Sequence, residues 1–108
     1  MTNMLQIPIL LVIAELNETA YGMAIIEEVK NRYGKEMSVG TAYMTLKRME
    51  KDQLIRSKLG KATKQRGGRR KRQYFLVSGG RHYLRDYYKA TVDFWHDLEH
   101  YLAEHRFI

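Results

Sequence analysis

The residues best suited to chemistry in this 108-residue chain lie on one stretch, from Ser38 to Ile55. Four apolar residues recur at three- and four-residue intervals, the spacing of the buried stripe of a helix: Val39, Ala42, Leu46 and Met49. Small, hydroxyl-bearing and basic side chains are predicted to face outward: Gly40, Thr41, Met44, Thr45, Lys47, Arg48 and Lys51. Such a face is typical of a helix that closely approaches a negatively charged surface. Ser38 is predicted to be the N-cap.

A basic, glycine-rich stretch follows this helix. Residues 58–72 contain eight lysines and arginines and no acidic residue. The other 11 basic residues are offset by 12 acidic ones, so the whole surplus of the formal charge of +7 lies in this stretch. Like charges at this density repel one another unless a polyanion neutralises them, which indicates a nucleic-acid partner. The pI near 9.7 does not by itself separate DNA from RNA or from an anionic membrane.

The elements that position these two stretches can be predicted in chain order. An apolar helix covers residues 4–16 with Pro8 in its first turn, and a second helix covers about residues 20–33 and ends at Gly34. Residues 38–55 form the third helix, and residues 55–59 and 71–77 have strand character around the basic tip. A mostly helical α+β chain in this order is a winged helix-turn-helix, whose third helix lies in the major groove of DNA.

Residues 78 to about 106 are predicted to form a final helix, with Ser78 as its cap and a weak first turn at Gly79 and Gly80. A heptad-like seam runs along it: Leu84, Tyr88, Thr91, Trp95, Leu98 and Leu102. So much aromatic surface exceeds what a small domain can cover, which favours a symmetric dimer. We therefore assign residues 1–77 to a DNA-binding domain and residues 78–108 to a dimerisation helix.

Enzymatic and membrane functions have little support in the sequence. The chain has no cysteine, and the apolar run of residues 7–14 is too short to span a bilayer, so a cytoplasmic protein is expected. His96 and His100 have the spacing of a helical metal pair, but they also fit the polar face opposite the seam. No catalytic grouping or phosphate-cradling loop is evident. We predict no enzyme activity, no metal and no cofactor.

With these elements placed, the chain resembles the PadR family of transcriptional regulators, and in particular its compact members with a short last helix. The matching segments are IPILLVIAEL, AYGMAII, SVGTAYMTLKRMEKDQLI and GRRKRQYFLVSGGRHYL, followed by the tryptophan-bearing last helix. The resemblance implies a homodimeric winged-helix repressor of an inverted-repeat operator. In some members of the family a small molecule binds between the subunits and releases DNA.

The chain departs from the family pattern at four positions. Ala42 and Met44 stand where a Gly-Thr-Leu-Tyr-Pro run has leucine and proline, so the start of the third helix is expected to dock differently. Tyr21 and Met23 replace the usual histidine and tyrosine. The hairpin tip is also more basic than in most members, which predicts a larger non-specific contribution to binding.

The predicted DNA contacts lie on the third helix and the wing: Ser38, Thr41, Tyr43, Met44, Thr45, Lys47, Arg48, Lys61, Lys64, Arg66, Arg69, Arg70 and Arg72. Arg48 is the best candidate for reading a base, because arginine bonds guanine bidentately. Tyr43 either contacts DNA or packs against the hairpin. Tyr88, Val92 and Trp95 form the dimer core or line a slot for a small aromatic effector.

Two rival functions stay open at this point. In the first, the basic hairpin makes the chain a non-specific architectural or RNA-binding module, with similar affinity for any duplex. In the second, the chain is a protein-interaction adaptor: its aromatic last helix binds a different protein, and the chain alone is a monomer. A sequence-specific homodimer is distinguished from both by a preferred palindrome.

Overall fold

Three short helices, a two-stranded hairpin and one long helix follow one another in the computed structural model, which describes residues 5–60 and 71–105. The elements are α1 (Gln6–Leu16), α2 (Gly22–Tyr33), α3 (Val39–Lys51), β1 (Ile55–Leu59), β2 (Arg72–Leu76) and α4 (Ser78–Glu104), with a 3-10 turn at Asn17–Thr19. This confirms the predicted mostly helical α+β fold with a two-stranded wing and a long last helix. The predicted element order is also confirmed.

The core lies where α1, α2 and α3 meet the hairpin. Its largest completely buried side chains come from all four elements: Ile9, Leu10, Val12, Ile13, Ile25, Val29, Leu46, Met49 and Ile55. Helix α1 is buried on most sides because it lies in the middle of this cluster, which explains its almost uniformly apolar sequence. Pro8 lies in its first turn, as predicted, where a missing N–H costs little.

Helix α3 begins as predicted but is rotated relative to the predicted stripe. The backbone N–H of Thr41 donates to Ser38 Oγ at 3.1 Å, which confirms the N-cap. Val39 is 50% exposed, so its predicted burial is wrong, and Thr45 is 6% exposed, so its predicted outward orientation is wrong. The core begins one turn after Val39, and Thr45 lies between Ala42 and Met49 on the buried face.

The hairpin is tied to the helices at its base. Strands β1 and β2 are antiparallel, with Ile55 opposite Leu76, Ser57 opposite Tyr74 and Leu59 opposite Arg72. Tyr74 N–H donates to the Ala20 carbonyl at 2.9 Å, and a single bridge pairs Tyr21 with Gln73. The connection between α1 and α2 is therefore joined to β2 by these backbone contacts, and the sheet keeps two strands. This pairing holds the wing at a defined place beside α3.

Helix α4 begins directly against the turn that follows α3. The chain leaves α3 through Gln53, whose φ of 64° is left-handed, so the helix ends before the predicted Ile55. A Cβ atom at Gly80 would overlap the Leu54 carbonyl oxygen and approach Leu76, and one at Gly79 would overlap the Gln53 carbonyl. The glycines permit this close contact. The cap of α4 is Val77 without a side-chain hydrogen bond, so the predicted Ser78 cap is wrong.

Adding a methyl group at Gly80 is expected to destabilise the fold. We expect Gly80→Ala to lower the free energy of unfolding by about 1–3 kcal/mol, because the backbone carbonyl of Leu54 has no room to yield. Gly40→Ala is the matched control, since its Cβ would meet nothing within 4 Å, and we expect it to stabilise by about 0.5–1 kcal/mol. Urea unfolding measures both variants. Equal stability of Gly80→Ala and the wild type would contradict the close packing.

The far part of α4 is not covered by the other described elements. Tyr83 and Leu84 pack against the core, and the Tyr83 hydroxyl donates to Gln6 Oε1 at 2.8 Å. Beyond them many large apolar side chains are exposed: Tyr87, Tyr88, Val92, Phe94, Trp95, Tyr101 and Leu102. None of the helices within residues 5–60 and 71–105 combines the length and apolar character needed to cross a bilayer.

Candidate nucleic-acid interface

The outer face of α3 is open to solvent and rich in cations. Six of the seven contacts predicted on this helix and its cap are exposed: Ser38, Thr41, Tyr43, Met44, Lys47 and Arg48. Met44 is 72% exposed, the highest value among the exposed large hydrophobic side chains of the described residues. No ion pair to Lys47 or Arg48 exists within the described parts of the chain. These two cations are therefore available to an external anion. Thr45 is not available, because its side chain is buried in the core.

Tyr43 packs on the first residue of α2 and keeps an exposed edge. A Cβ atom at Gly22 would overlap the Tyr43 ring and hydroxyl, so the ring covers this glycine directly. Tyr43 is nevertheless 42% exposed, and it borders the space between α3 and the wing. It packs mainly on α2, beside the hairpin base. Contact with DNA through the exposed edge stays a prediction.

A groove separates α3 from the hairpin, and a chain of hydrogen bonds crosses it. Seven side chains line the groove: Tyr43, Lys47, Glu50, Lys51, Ser57, Arg72 and Tyr74. Arg72 Nη1 donates to Ser57 Oγ at 3.0 Å, and Ser57 Oγ donates to Glu50 Oε1 at 2.8 Å. These two hydrogen bonds join the last turn of α3 to both strands. They hold the Arg72 guanidinium at the end of the paired strands that leads to the hairpin tip.

Sequence reasoning included Arg72 in the site but missed Glu50 and Ser57. Strand alternation places Ser57 and Arg72 on the same face of the hairpin, but only the register of the pairing shows that they are close. Glu50 is separated from Ser57 by the turn after α3, so no local pattern connects them. These two residues position a predicted contact.

A second cation lies beside Arg72, next to the hairpin tip. Lys71 Nζ lies 5.2 Å from the centre of the Tyr21 ring, which is within the range of a cation–π interaction. Gly60 N–H donates to the Lys71 carbonyl, which closes the pairing next to the tip. The predicted tip contacts fall outside the described residues: Lys61, Lys64, Arg66, Arg69 and Arg70.

The floor of the groove is a buried phenol. Tyr74 is 4% exposed, and burial raises its pKa above the ordinary value of 10.0, with a further contribution from Tyr43. Burial disfavours the charged phenolate, so Tyr74 is neutral at physiological pH. The charges of the groove therefore come from Lys47, Lys51, Arg72 and Glu50.

A protein-family comparison decides the relationship of this chain to known proteins. The model of the transcriptional regulator PadR-like family matches residues 9–86, from α1 into the first part of α4. The chain belongs to the PadR family. The resemblance noted in the sequence is thus confirmed, and the match includes α3 and both strands of the wing. PadR-like proteins are DNA-binding transcriptional regulators and not enzymes, as predicted.

Solved structures of PadR proteins share this fold. A PadR-like regulator from Bacillus cereus superposes with a TM-score of 0.72 at 22% identity, covering 91% of this chain and 90% of that chain. A PadR family regulator from hypervirulent Clostridium difficile is 31% identical, with a TM-score of 0.57 and coverage of 91% and 95%. One from Eggerthella lenta gives 24% identity, a TM-score of 0.61 and coverage of 89% and 78%. Comparison with curated proteins gave no match.

His96 and His100 lie on the solvent-exposed surface of α4. His100 Nε2 lies 3.2 Å from Glu104 Oε1, one turn along the exposed face of the helix. Within residues 5–60 and 71–105 no group of three or more histidine, aspartate or glutamate side chains is arranged to hold a metal ion. This geometry favours the interpretation of His96 and His100 as part of the polar face.

Proposed function

We propose that this PadR protein is a homodimeric repressor that binds an inverted-repeat operator with sequence specificity. The observation that carries the proposal is the exposed face of α3, where Lys47 and Arg48 have no ion-pair partner among the described residues and lie beside a basic wing. A free cationic helix face of this kind matches the negative potential and the base edges of a major groove. Residues 1–77 bind DNA in this proposal, and residues 78–108 dimerise.

The two parts of the interface have different tasks in the proposed complex. The outer face of α3 enters the major groove, where Arg48 bonds a guanine edge and Thr41 and Met44 contact neighbouring bases. The wing neutralises phosphates, and this contributes affinity without sequence preference. In the described part of the wing, Arg72 is held in place by its hydrogen bond to Ser57.

The seam of α4 supplies the dimer contact. Tyr88 is 67% exposed, Val92 43% and Trp95 57%, and these residues need a partner surface to be buried. A second copy offers the same face by two-fold symmetry and places two α3 helices about 34 Å apart, one turn of DNA. By its resemblance to effector-binding members, the same seam is the proposed place for a small aromatic effector.

The proposal is tested by selecting bound duplexes from a random DNA pool. We expect an inverted repeat with half-site centres about 10 base pairs apart, because two-fold protein symmetry imposes it on the site. Recovery of no shared sequence, or tighter binding to RNA, would favour the architectural module instead. Sedimentation of the free protein tests the dimer separately, and a monomer would favour the adaptor.

Arg48→Ala is expected to reduce discrimination between sites more than it reduces overall binding. A bidentate arginine–guanine pair contributes about 1–3 kcal/mol of discrimination, so we expect a roughly 5- to 150-fold smaller ratio of operator to non-specific affinity. Fluorescence anisotropy on both duplexes measures the ratio. Arg85→Ala is the matched control, since Arg85 is an exposed arginine on α4. An equal loss on both duplexes would assign Arg48 to phosphate contact.

A further inference from the structure

The groove between α3 and the wing places one carboxylate among the cations proposed to meet DNA. Among the described residues that line it, Glu50 is the acidic one, and Lys47, Lys51 and Arg72 are basic. A carboxylate at such a surface repels each phosphate that approaches it. Glu50 therefore opposes binding of any duplex. Its position needs an explanation beyond helix solubility, because its side chain points into the groove and is only half exposed.

The charge of Glu50 is engaged by a hydroxyl and not by a direct ion pair. Its Oε1 accepts from Ser57 Oγ at 2.8 Å, and no lysine or arginine nitrogen in the described ranges comes within the 4.0 Å of an ion pair. The single Ser57 proton is used in this bond, which turns the oxygen lone pairs toward Arg72. Both bonds involve an ionised partner and belong to the stronger class of hydrogen bonds.

This arrangement has two effects on a duplex that enters the groove. Through Ser57, the Glu50 carboxylate fixes the guanidinium of Arg72 at one place on the wing, where it can meet a phosphate only if the duplex is correctly positioned. The remaining negative charge repels a duplex that is held by electrostatic attraction alone. On the operator, base contacts from α3 set the position, so the fixed Arg72 contact offsets the repulsion.

We infer that Glu50 is a specificity-determining residue, which lowers the affinity for non-operator DNA and positions Arg72 for the operator. This inference rests on the proposed function. It predicts a result that a purely structural residue would not give: removing the charge strengthens binding to the wrong DNA.

Glu50→Gln is the primary test, because glutamine keeps an oxygen that accepts from Ser57 but loses the charge. We expect affinity for a shuffled duplex of operator length to rise about fivefold at low salt, the scale of one close charge pair in a water-like medium. Operator affinity should change by less than about twofold, because the neutral amide holds Ser57 and Arg72 less firmly than the carboxylate does, and this loss offsets the relieved repulsion. The ratio of the two affinities therefore falls. The log–log salt slope on the shuffled duplex should steepen, because Arg72 and its neighbours act without the opposing charge.

Two further variants separate charge from positioning. Ser57→Ala removes the hydroxyl that links Arg72 to Glu50 but keeps the Glu50 carboxylate. We expect this variant to lower operator affinity without raising affinity for the shuffled duplex. Glu99→Gln is the matched control, since it removes the same charge from an exposed position on α4. Melting temperatures measured on all variants show whether each is folded.

The inference is overturned if Glu50→Gln changes the affinities for both duplexes by the same factor, in either direction, or if Glu99→Gln raises shuffled-duplex affinity equally. It is also overturned if Ser57→Ala leaves operator affinity unchanged. Failure of the proposed function looks different, because the wild type itself would then show no operator preference or no salt dependence, whatever the variants do.

Discussion

Replacing Lys64, Arg66, Arg69 and Arg70 together with glutamine is expected to remove about seven units of salt dependence from DNA binding by the proposed dimer. Each neutralised phosphate contributes about −0.9 to the slope of log affinity against log salt, so the slope should become shallower by roughly 3.6 for each protomer and by about twice that for two protomers. Between 50 and 200 mM salt, the wild-type dimer should then lose roughly 10⁴ more affinity than the variant. Anisotropy titrations at four salt concentrations measure the slope, with the selected operator and a shuffled duplex.

The control for this experiment removes four positive charges elsewhere. Lys30, Arg32, Arg85 and Lys89 lie on α2 and α4, and their replacement with glutamine gives the same net charge. We expect this control to change the slope by less than one unit, because only contacts at the duplex release counterions. Equal slopes for the two variants would mean that overall charge, and not the wing, attracts the duplex.

Trp95→Arg is expected to convert the proposed dimer to a monomer. Trp95 is 57% exposed on α4, in the seam proposed to pair with a second copy, and a charge there would be buried without a partner. A monomer no longer joins two α3 helices, so its affinity for a duplex with two half-sites should fall by about 10²–10⁴. Its affinity for a duplex with one half-site should stay the same. Sedimentation measures the oligomeric state, and anisotropy with single and paired half-sites measures the linkage.

His100→Arg tests whether any new charge on α4 has this effect. His100 lies on the polar face next to Glu104, where an arginine keeps a favourable pair, so the variant should stay dimeric. A dimeric Trp95→Arg protein would show that the seam is not the contact. A monomeric wild type would instead favour the adaptor hypothesis, in which the aromatic face of α4 binds a different protein.

The elements of this fold were largely predictable because their signals are local. Strand β1 covers the predicted residues, Ser38 caps α3, and α2 ends at a left-handed Gly34 with φ 66°. The rotation of α3 was less predictable: Val39 is apolar but precedes the point where other elements cover the helix. Thr45 is polar but lies inside the buried stripe.

What the sequence did not reveal depends on contacts between distant residues. Gly79 and Gly80 look unfavourable in a helix, and their use becomes clear only when the carbonyls of Gln53 and Leu54 lie against them. Glu50, Ser57 and Arg72 belong to three elements, and the register of the hairpin decides that they form one chain. Residue types predict a cationic surface. Tertiary packing decides which cations are fixed by hydrogen bonds, as Arg72 is, and which have no ion pair among the described residues, as is the case for Lys47 and Arg48.

Gly79 and Gly80 hold the first turn of α4 directly against the turn after α3, so any tilt of α4 would be centred at this contact, which serves as its pivot. With 27 residues, α4 is a rigid arm about 40 Å long. A tilt of about 5° at the pivot therefore displaces its far end by roughly 3–4 Å, close to the rise of one base pair. In the proposed dimer, small angular changes between the two paired helices would therefore alter the span between half-sites by about one base-pair step.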